Sequence, residues 1–293
     1  MNISAAIQLY GYGTSEGVSR AWDTRGRGRK LGKGKSTEDQ YKNKETGLWE
    51  PRRAAMHDKV IAEMVAGKTA PTDRAPVAHV LGGGTASGKT TMSRAIIGED
   101  PNTLRVDPDE IKLKIPEYEK LKQDDPKMAA ARVHEESSYL TKAIMAEAIA
   151  RGIDLTYDAT TSGKGSVGMV KTLLGQGYKV HLMFADVPLN IAKERADKRA
   201  RESTDPMNKG RFVPDAVISE SHQRAAQNFF ALKEEPGISS SRLFDNSGQS
   251  PKLVYQKDST GEKVHDQAGY SRYKKKAFED VNASAHRSRR RRF

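Results

Sequence analysis

The sequence of 293 residues contains no cysteine. This absence excludes disulfide bonds, a catalytic thiolate and zinc or iron–sulfur sites with cysteine ligands. The chain also has no run near the ~18 consecutive apolar residues that a membrane-spanning helix needs. Its first residues, Met1 to Ser4, do not begin a basic segment followed by an apolar one, so we expect no secretory signal. These absences favour a reducing compartment, and we expect a cytoplasmic protein.

The excess of positive charge is confined to the two ends of the chain. The formal net charge is +12. Residues 1–54 contribute +5 and residues 248–293 contribute +7, whereas residues 55–247 are neutral overall. Basic ends are typical of contact with a polyanion, or of solubility alone. We therefore expect a basic, glycine-rich and largely irregular arm (1–54), a central domain (55–247) and a basic tail (248–293) with short strands near 252–255.

Apolar runs and segments of helical periodicity alternate along the central domain. The predicted strands are Val77–Leu81, Thr103–Val106, Leu155–Tyr157, Val180–Phe184 and Ser241–Phe244. The predicted helices are Ala54–Ala66, Lys89–Ile97, Ala129–Ala150, Val167–Leu174, Leu189–Arg201 and Asp215–Leu232. Alternation of this kind predicts an α/β fold of three layers, with a parallel sheet between two layers of helices.

The strongest motif follows the first predicted strand and opens a predicted helix. It matches the phosphate-loop pattern G-x-x-x-x-G-K-[ST] with the residues Gly83, Gly84, Thr85, Ala86, Ser87, Gly88, Lys89 and Thr90. Glycines let backbone N–H groups converge on phosphate oxygens, which a Cβ would obstruct. Lys89 can reach the β- and γ-phosphates, and the Thr90 hydroxyl can ligate Mg²⁺. We therefore expect ATP and Mg²⁺ to bind at this loop, with Thr91 completing the cradle.

Carboxylates follow the next two strands. Because ligands of open α/β sheets lie outside the carboxyl ends of the strands, Asp107, Asp109 and Asp158 are expected near the γ-phosphate. Asp109 can orient or deprotonate an acceptor hydroxyl, whereas Asp107 before a proline also suits a helix N-cap. Asp158 is a candidate for the metal or its water shell. Thr160 is a candidate substrate contact, with helix capping by Thr160 or Thr161 as the alternative.

Cations for the transferring phosphoryl group are expected from the charged helix after the fourth predicted strand and from the polar loop behind it. Arg199 and Arg211 are the candidates, because small kinases close a mobile lid over the phosphates to exclude water. The alternative is a solvated, charge-laced helix. The chain has no N-K-x-D string of GTPases, and its size favours a small-molecule kinase.

Seven strings together resemble the zeta-toxin family of P-loop kinases, in the same order along the chain. They are Leu81–Thr91, Val106–Lys112, Ile115–Tyr118, Val133–Ser138, Asp158–Thr160, Arg211–Pro214 and Phe244–Ser247. The resemblance covers roughly residues 76–247. The arm and the basic tail lie outside it.

The resemblance implies a role for several residues. Asp109 would be the catalytic carboxylate, Glu135 or Glu136 a substrate ligand, and Arg211 a phosphate contact. The first lid cation would be Arg195 or Arg199. The implied reaction transfers the γ-phosphoryl group of ATP to a hydroxyl of a sugar nucleotide such as UDP-N-acetylglucosamine.

The resemblance also implies regulation by a partner, because family toxins are often held inactive by an antitoxin that blocks the nucleotide site. We hypothesise that residues 1–74 cover the site in cis. Residues 13–28 resemble the arms of bacteriophage-encoded proteins. This suggests that the gene is of phage origin, with the protein in the cytoplasm of an infected host cell or in the virion. Two alternative hypotheses for the function remain. The protein would be a kinase of nucleic-acid ends, guided by the basic tails, or a non-catalytic phage or DNA-binding protein that keeps a nucleotide-binding fold.

Overall fold

A seven-stranded sheet forms the centre of the computed structural model, which describes residues 34–98, 100–126, 128–204 and 213–279. The strands are β1 (Val77–Gly82), β2 (Leu104–Val106), β3 (Leu155–Asp158), β4 (Lys179–Asp186), β5 (Ile238–Asp245), β6 (Lys252–Asp258) and β7 (Gly261–Val264). Their order is β2-β3-β1-β4-β5-β6-β7. The first five in this order are parallel, and β6 and β7 are antiparallel. The predicted α/β class with a mostly parallel sheet is confirmed.

Helices connect and cover the parallel strands. In chain order they are α1 (Thr37–Tyr41), α2 (Pro51–Val65), α3 (Lys89–Ile97), α4 (Pro108–Lys112), α5 (Tyr118–Asp124), α6 (Ala129–Arg132), α7 (His134–Arg151), α8 (Lys164–Gly175), α9 (Leu189–Glu202), α10 (Asp215–Leu232) and α11 (Gln267–Phe278). Within the described ranges, none of these helices is both long enough and apolar enough to span a membrane.

The strand register decides which residues meet at the carboxyl edge of the sheet. Leu81 pairs with Asp158 and Val106 pairs with Tyr157. The loop after β1, the end of β3 and the residue after β2 therefore lie side by side. β1 is apolar because helices cover the sheet: Ala78, Val80 and Leu81 are fully buried, as expected for a parallel strand with helices on both faces.

The core continues past residue 247, where the sequence predicted the domain to end. β6 and β7 extend the sheet, and α11 packs beside α10. Tyr255 of β6 and Tyr273 of α11 are both buried edge-on against Phe229. The sequence did not predict helix α11, because its buried face includes Lys276 and its composition is therefore polar.

Two further elements differ from the prediction. The long helix expected over residues 129–150 is two helices, because Val133 leaves the helical region with ψ near 5°. The arm expected to be irregular contains α1 and the start of α2, since Ser36 caps α1 and Thr37 is buried. Residues 1–33 and the basic run at 289–292 lie outside the described residues.

A buried ion cluster attaches α2 to α7. The carboxylate of Glu136 is completely buried and accepts hydrogen bonds from Arg53 (Nε 2.5 Å, Nη2 2.8 Å). The His57 Nε2 atom lies 2.6 Å from the same carboxylate. Arg53 also donates to both oxygens of Glu117. Although burial alone raises the pKa of Glu136, the hydrogen bonds from His57 and Arg53 outweigh it and hold the pKa at about 2.

We predict that Glu136→Gln destabilises the fold by about 3 kcal/mol at neutral pH, the lower end of the cost of breaking a buried pair, because Arg53 then keeps only the part-exposed carboxylate of Glu117. The folded-state pKa of Glu136 lies below its ordinary value of 4.5. The stabilisation is therefore complete above about pH 4.5 and is lost as the pH falls towards 2. Urea unfolding of the wild type and of Glu136→Gln at several pH values measures this difference in the free energy of unfolding.

Glu147→Gln is the matched control, because Glu147 lies on α7 in a partly exposed pair with Arg151. Its effect should stay within the roughly 1 kcal/mol typical of surface pairs. Equal stability of Glu136→Gln and Glu147→Gln would contradict the assignment.

Candidate active site

The loop after β1 has a backbone that other residue types would obstruct. Gly83 and Gly88 have φ angles of +135° and +79°. A Cβ at Gly84 would lie 2.0 Å from the His222 ring, and one at Gly88 would lie 2.2 Å from Asn246 Nδ2. Glycine is therefore required at these positions by strain and by close approach. The loop ends at Lys89, where α3 begins.

Side chains from three elements hold the carbonyls of this loop. Lys89 Nζ donates to the carbonyl oxygens of Gly83 and Gly84 (3.1 and 3.4 Å). The His222 Nε2 atom of α10 lies 2.9 Å from the Thr85 carbonyl.

Asn246 Nδ2, just after β5, donates to the carbonyls of Ser87 and Gly88 (2.9 and 3.1 Å). With these carbonyls turned towards the protein, the first-turn amides of α3 are left for an anion.

An acid cluster lies beside the loop, with an arginine inside it. Arg105 Nη2 is 2.5 Å from Asp158 Oδ2, 3.4 Å from Asp107 Oδ2 and 3.4 Å from Thr90 Oγ1. Thr90 Oγ1 also donates to Asp158 Oδ2 (3.2 Å). The predicted neighbours Thr90, Asp107 and Asp158 therefore do converge. Arg105, which was not predicted as a site residue, lies at the point where they meet.

Asp107 has two tasks in this cluster. Its side chain caps α4 by accepting from the Asp109 N–H (2.8 Å), so the N-cap alternative of the sequence analysis is present. Burial, with the charges of Asp158 and Asp109, raises its pKa to about 6. Asp107 is thus both a helix cap and part of the acid cluster.

Asp109 lies in the first turn of α4 and is about one-third exposed. Lys112 Nζ donates to Asp109 Oδ1 (2.7 Å), which fixes one carboxylate oxygen. His134, at the start of α7, is close enough for Lys112 and Asp109 to act on its charge. Burial, then Lys112, lowers the pKa of His134 to about 4, so the ring is neutral at pH 7.

The charges of the acid cluster act on the half-buried lysine of the loop, Lys89. Burial lowers the pKa of Lys89, while the charges of Asp158, Asp107 and Asp109 oppose this shift. Arg199 of α9 lowers it further by like-charge repulsion, which places this predicted cation within electrostatic reach of Lys89.

The other predicted lid residues are placed differently. Arg195 donates to the carbonyls of Asn246 and Ser247 (2.9 and 3.3 Å), so it braces the chain beside the phosphate loop. Arg211 lies outside the described residues.

The two glutamates predicted as substrate ligands are in different settings. The Glu136 carboxylate is bound by Arg53 and His57, as described above. Glu135 is partly buried, and its Oε2 atom has no hydrogen-bond partner in the described part of the chain. Burial, with the charges of Glu38 and Asp39, raises its pKa.

Thr160 follows Asp158 at the edge of the sheet. Its hydroxyl lies 2.8 Å from the Ser162 hydroxyl, and its carbonyl accepts from the Gly83 N–H (3.2 Å). The neighbouring Thr161, in the left-handed region with φ +52°, donates its hydroxyl to the Leu81 carbonyl. Thr160 therefore supports the phosphate loop and Thr161 supports the strand before it, and no α-helix begins until Lys164.

The acid cluster has the donor chemistry of a magnesium site. Hydroxyl and carboxylate oxygens are the ligands Mg²⁺ takes, usually with phosphate oxygens and water making up the rest. Three of them, from Thr90, Asp107 and Asp158, already surround one cationic nitrogen of Arg105. Within the described ranges no group of three or more His, Asp or Glu residues could hold a metal on its own. The residues therefore fit a metal that is completed by phosphate.

The family model described as Zeta toxin matches residues 61–260. A search of curated proteins finds no match.

Among solved structures, the AvrRxo1-ORF1:AvrRxo1-ORF2 complex with sulphate ions has TM-score 0.62 and 18% identity, covering 85% of each chain. The same complex with ATP has TM-score 0.61 and 18% identity, covering 85% of this chain and 84% of that one. A structure from the PezAT toxin–antitoxin system of Streptococcus pneumoniae has TM-score 0.57 and 16% identity, covering 77% and 88%.

At these identities the structural likeness shows the fold. The family model goes further because it spans more than half of the chain and includes the phosphate loop, the acid cluster and the loop supports His222 and Asn246. The predicted resemblance is thereby confirmed: this protein belongs to the zeta-toxin family and has the fold of its P-loop kinases.

Proposed function

We propose that this protein is an ATP-dependent kinase that phosphorylates a hydroxyl of a small acceptor, with a sugar nucleotide such as UDP-N-acetylglucosamine as the first acceptor to test. The observation that carries the proposal is a phosphate loop with inward-turned carbonyls beside the carboxylates of Asp107, Asp109 and Asp158. A solved relative containing ATP supports the choice of nucleotide.

The residues divide the reaction between them. Lys89 and the N-terminus of α3 bind the β- and γ-phosphates. Thr90 and Asp158 would hold Mg²⁺, which when bound neutralises phosphate charge and orients the γ-phosphoryl group. Arg199 and Arg211 add positive charge as electrons move to the leaving oxygen.

Asp109 is the proposed base. One carboxylate oxygen is held by Lys112, and the side chain is exposed enough to meet an acceptor. The acceptor oxygen forms a bond to the γ-phosphorus, the bond from that phosphorus to the β–γ bridging oxygen breaks, and ADP leaves. The acceptor proton passes to Asp109. Glu135 and Thr160 are the proposed acceptor ligands, because Glu136 is already bound by Arg53 and His57.

We also propose an antitoxin-like partner, since the solved relatives include toxin–antitoxin structures. The alternative of a cover in cis by residues 1–74 depends on residues 1–33, which lie outside the described residues. The described contacts of residues 34–74 include those of Arg53 with Glu136, Lys68 with Pro101 and Arg74 with Asp154. The phage origin stays a prediction.

We predict that the protein transfers label from γ-labelled ATP with Mg²⁺ to a sugar nucleotide, and that Lys89→Ala abolishes the transfer. The reason is that Lys89 is the cation placed inside the loop. Separation of the labelled products after parallel incubations with UDP-N-acetylglucosamine, other sugar nucleotides and a short oligonucleotide provides the measurement. Label on the oligonucleotide alone would instead establish the nucleic-acid end kinase, and ATP binding without transfer to any acceptor would favour a non-catalytic protein.

Asp109→Asn is expected to lower kcat by about 10²-fold or more, because an amide cannot accept the acceptor proton. ATP affinity should change little, since Asp109 lies beside the phosphate site rather than within the loop. Steady-state kinetics and calorimetric ATP titration separate the two effects. A variant with full kcat would show that Asp109 is not the base.

We further predict that Arg105→Gln makes Mn²⁺ bind about tenfold more tightly to the protein with ADP bound, a gain of about 1.4 kcal/mol. The guanidinium of Arg105 already occupies the oxygens of Thr90 and Asp158, so a metal ion must displace it. Electron paramagnetic resonance of free Mn²⁺ gives the affinity directly. Arg151→Gln removes the same charge from the surface of α7 and should leave the affinity unchanged. Weaker binding in Arg105→Gln would mean that the arginine orients the ligands instead.

A further inference from the structure

The C-terminal helix α11 lies outside residues 61–260, to which the zeta-toxin model extends. It nevertheless carries a buried cation. Lys276 is only 9% exposed, and its ammonium donates to Asp186 Oδ1 (2.5 Å) and to the Val187 carbonyl (2.8 Å). A buried ammonium is costly unless it is paired and hydrogen-bonded. This lysine therefore has a specific partner at the end of β4.

Asp186 lies between Lys276 and two side chains that bind carbonyls of the phosphate loop, His222 and Asn246. Its Oδ1 atom lies 3.8 Å from His222 Nδ1, and its backbone carbonyl accepts from the Asn246 N–H (2.8 Å). His222 and Asn246 are the side chains that hold the carbonyls of Thr85, Ser87 and Gly88. Asp186 thus contacts both His222 and Asn246.

The His222 ring packs closely against the phosphate loop. The His222 ring is 1% exposed and lies where a Cβ of Gly84 would be, at 2.0 Å. Its Nε2 atom contacts the Thr85 carbonyl. A movement of this ring towards the loop must therefore displace the loop backbone, because close-packed interiors transmit displacement, and a movement away leaves the Thr85 carbonyl without this contact.

We propose that Lys276 is a positioning residue for nucleotide binding, which acts through Asp186 on His222 and Asn246 to set the phosphate loop. With Lys276 in place, its ammonium compensates the charge of the Asp186 carboxylate. Without it, the buried carboxylate loses its ion-pair partner and shifts, and this shift displaces the His222 ring, whose Nδ1 atom lies 3.8 Å away, from the Thr85 carbonyl. The inference rests on the proposed function only in taking the loop as the site of ATP phosphates.

The test compares ATP affinity in the full chain and in two lysine variants of the same helix. Lys276→Met removes the buried ammonium, and Lys275→Met removes an exposed one next to it. We expect Lys276→Met to weaken ATP binding roughly 3- to 30-fold, the range of coupling through packed networks. Lys275→Met should bind like the wild type. Calorimetric titrations are made at a temperature at which circular dichroism shows every protein folded.

A purely structural role gives a different result. If Lys276→Met melts at a lower temperature but binds ATP with the same affinity as Lys275→Met, the proposal is overturned. Lys276→Gln keeps a donor for Asp186 without the charge, and it replaces the Met variant should that variant fail to fold. A wild-type protein that binds no ATP would overturn the proposed function itself, so the two failures are distinguishable.

A rescue within the same path gives a second readout. His222→Leu removes the group that contacts the Thr85 carbonyl, whereas His222→Gln places an amide nitrogen near the position of Nε2. We expect the leucine variant to lose ATP affinity by roughly the same 3- to 30-fold and the glutamine variant to recover most of it. Equal affinities of the two variants would show that the ring only fills space.

Discussion

A phosphate loop binds its ligand with backbone amides, so its carbonyls must be satisfied from the protein side. In this chain the donors are Lys89, His222 and Asn246, which come from α3, α10 and the end of β5. The loop therefore depends on elements that are far apart in sequence. The sheet, the packing of α10 and the course of the chain after β5 all contribute to a geometry that the glycines merely permit.

The same edge of the sheet concentrates charge that the fold must balance. Asp107, Asp109 and Asp158 lie close enough to affect one another, and Lys89 and Arg105 lie among them. Arg105 compensates the carboxylates while no phosphate is bound. Under the proposed function, a nucleotide that brings its own metal ion would replace this internal compensation. Nucleotide binding of this kind would exchange the positive charge of Arg105 for that of the metal ion, with little change in the net charge of the site.

Local sequence signals predicted much of this arrangement. The strand, the glycines and Lys89 follow one another, and the carboxyl edge of a parallel sheet brings Asp107 and Asp158 to them. Arg105 was accessible to the same reasoning, because it lies two residues before Asp107 and shares its face of the strand. The partners of Glu136 were not, since Arg53 is 83 residues away and a glutamate pair on a helix has no pattern that separates a ligand from a buried ion pair. The roles of His222 and Lys276 likewise arise only when α10 and α11 pack against β4.

Among the described residues outside 61–260, two buried cations each bind a buried carboxylate. Arg53 of α2 binds Glu136 at the start of α7, and Lys276 of α11 binds Asp186 at the end of β4. A buried ion pair gives little net stability over a well-packed apolar pair, but breaking one is costly. Such pairs therefore fix position more than they add stability. We infer that the segments flanking the family core set the two sides of the site, α2 through the helix that carries Glu135 and α11 through the strand beside the phosphate loop. Under the proposed function, substitutions in α2 and α11 would then alter acceptor and nucleotide affinity without changing a residue that contacts either ligand.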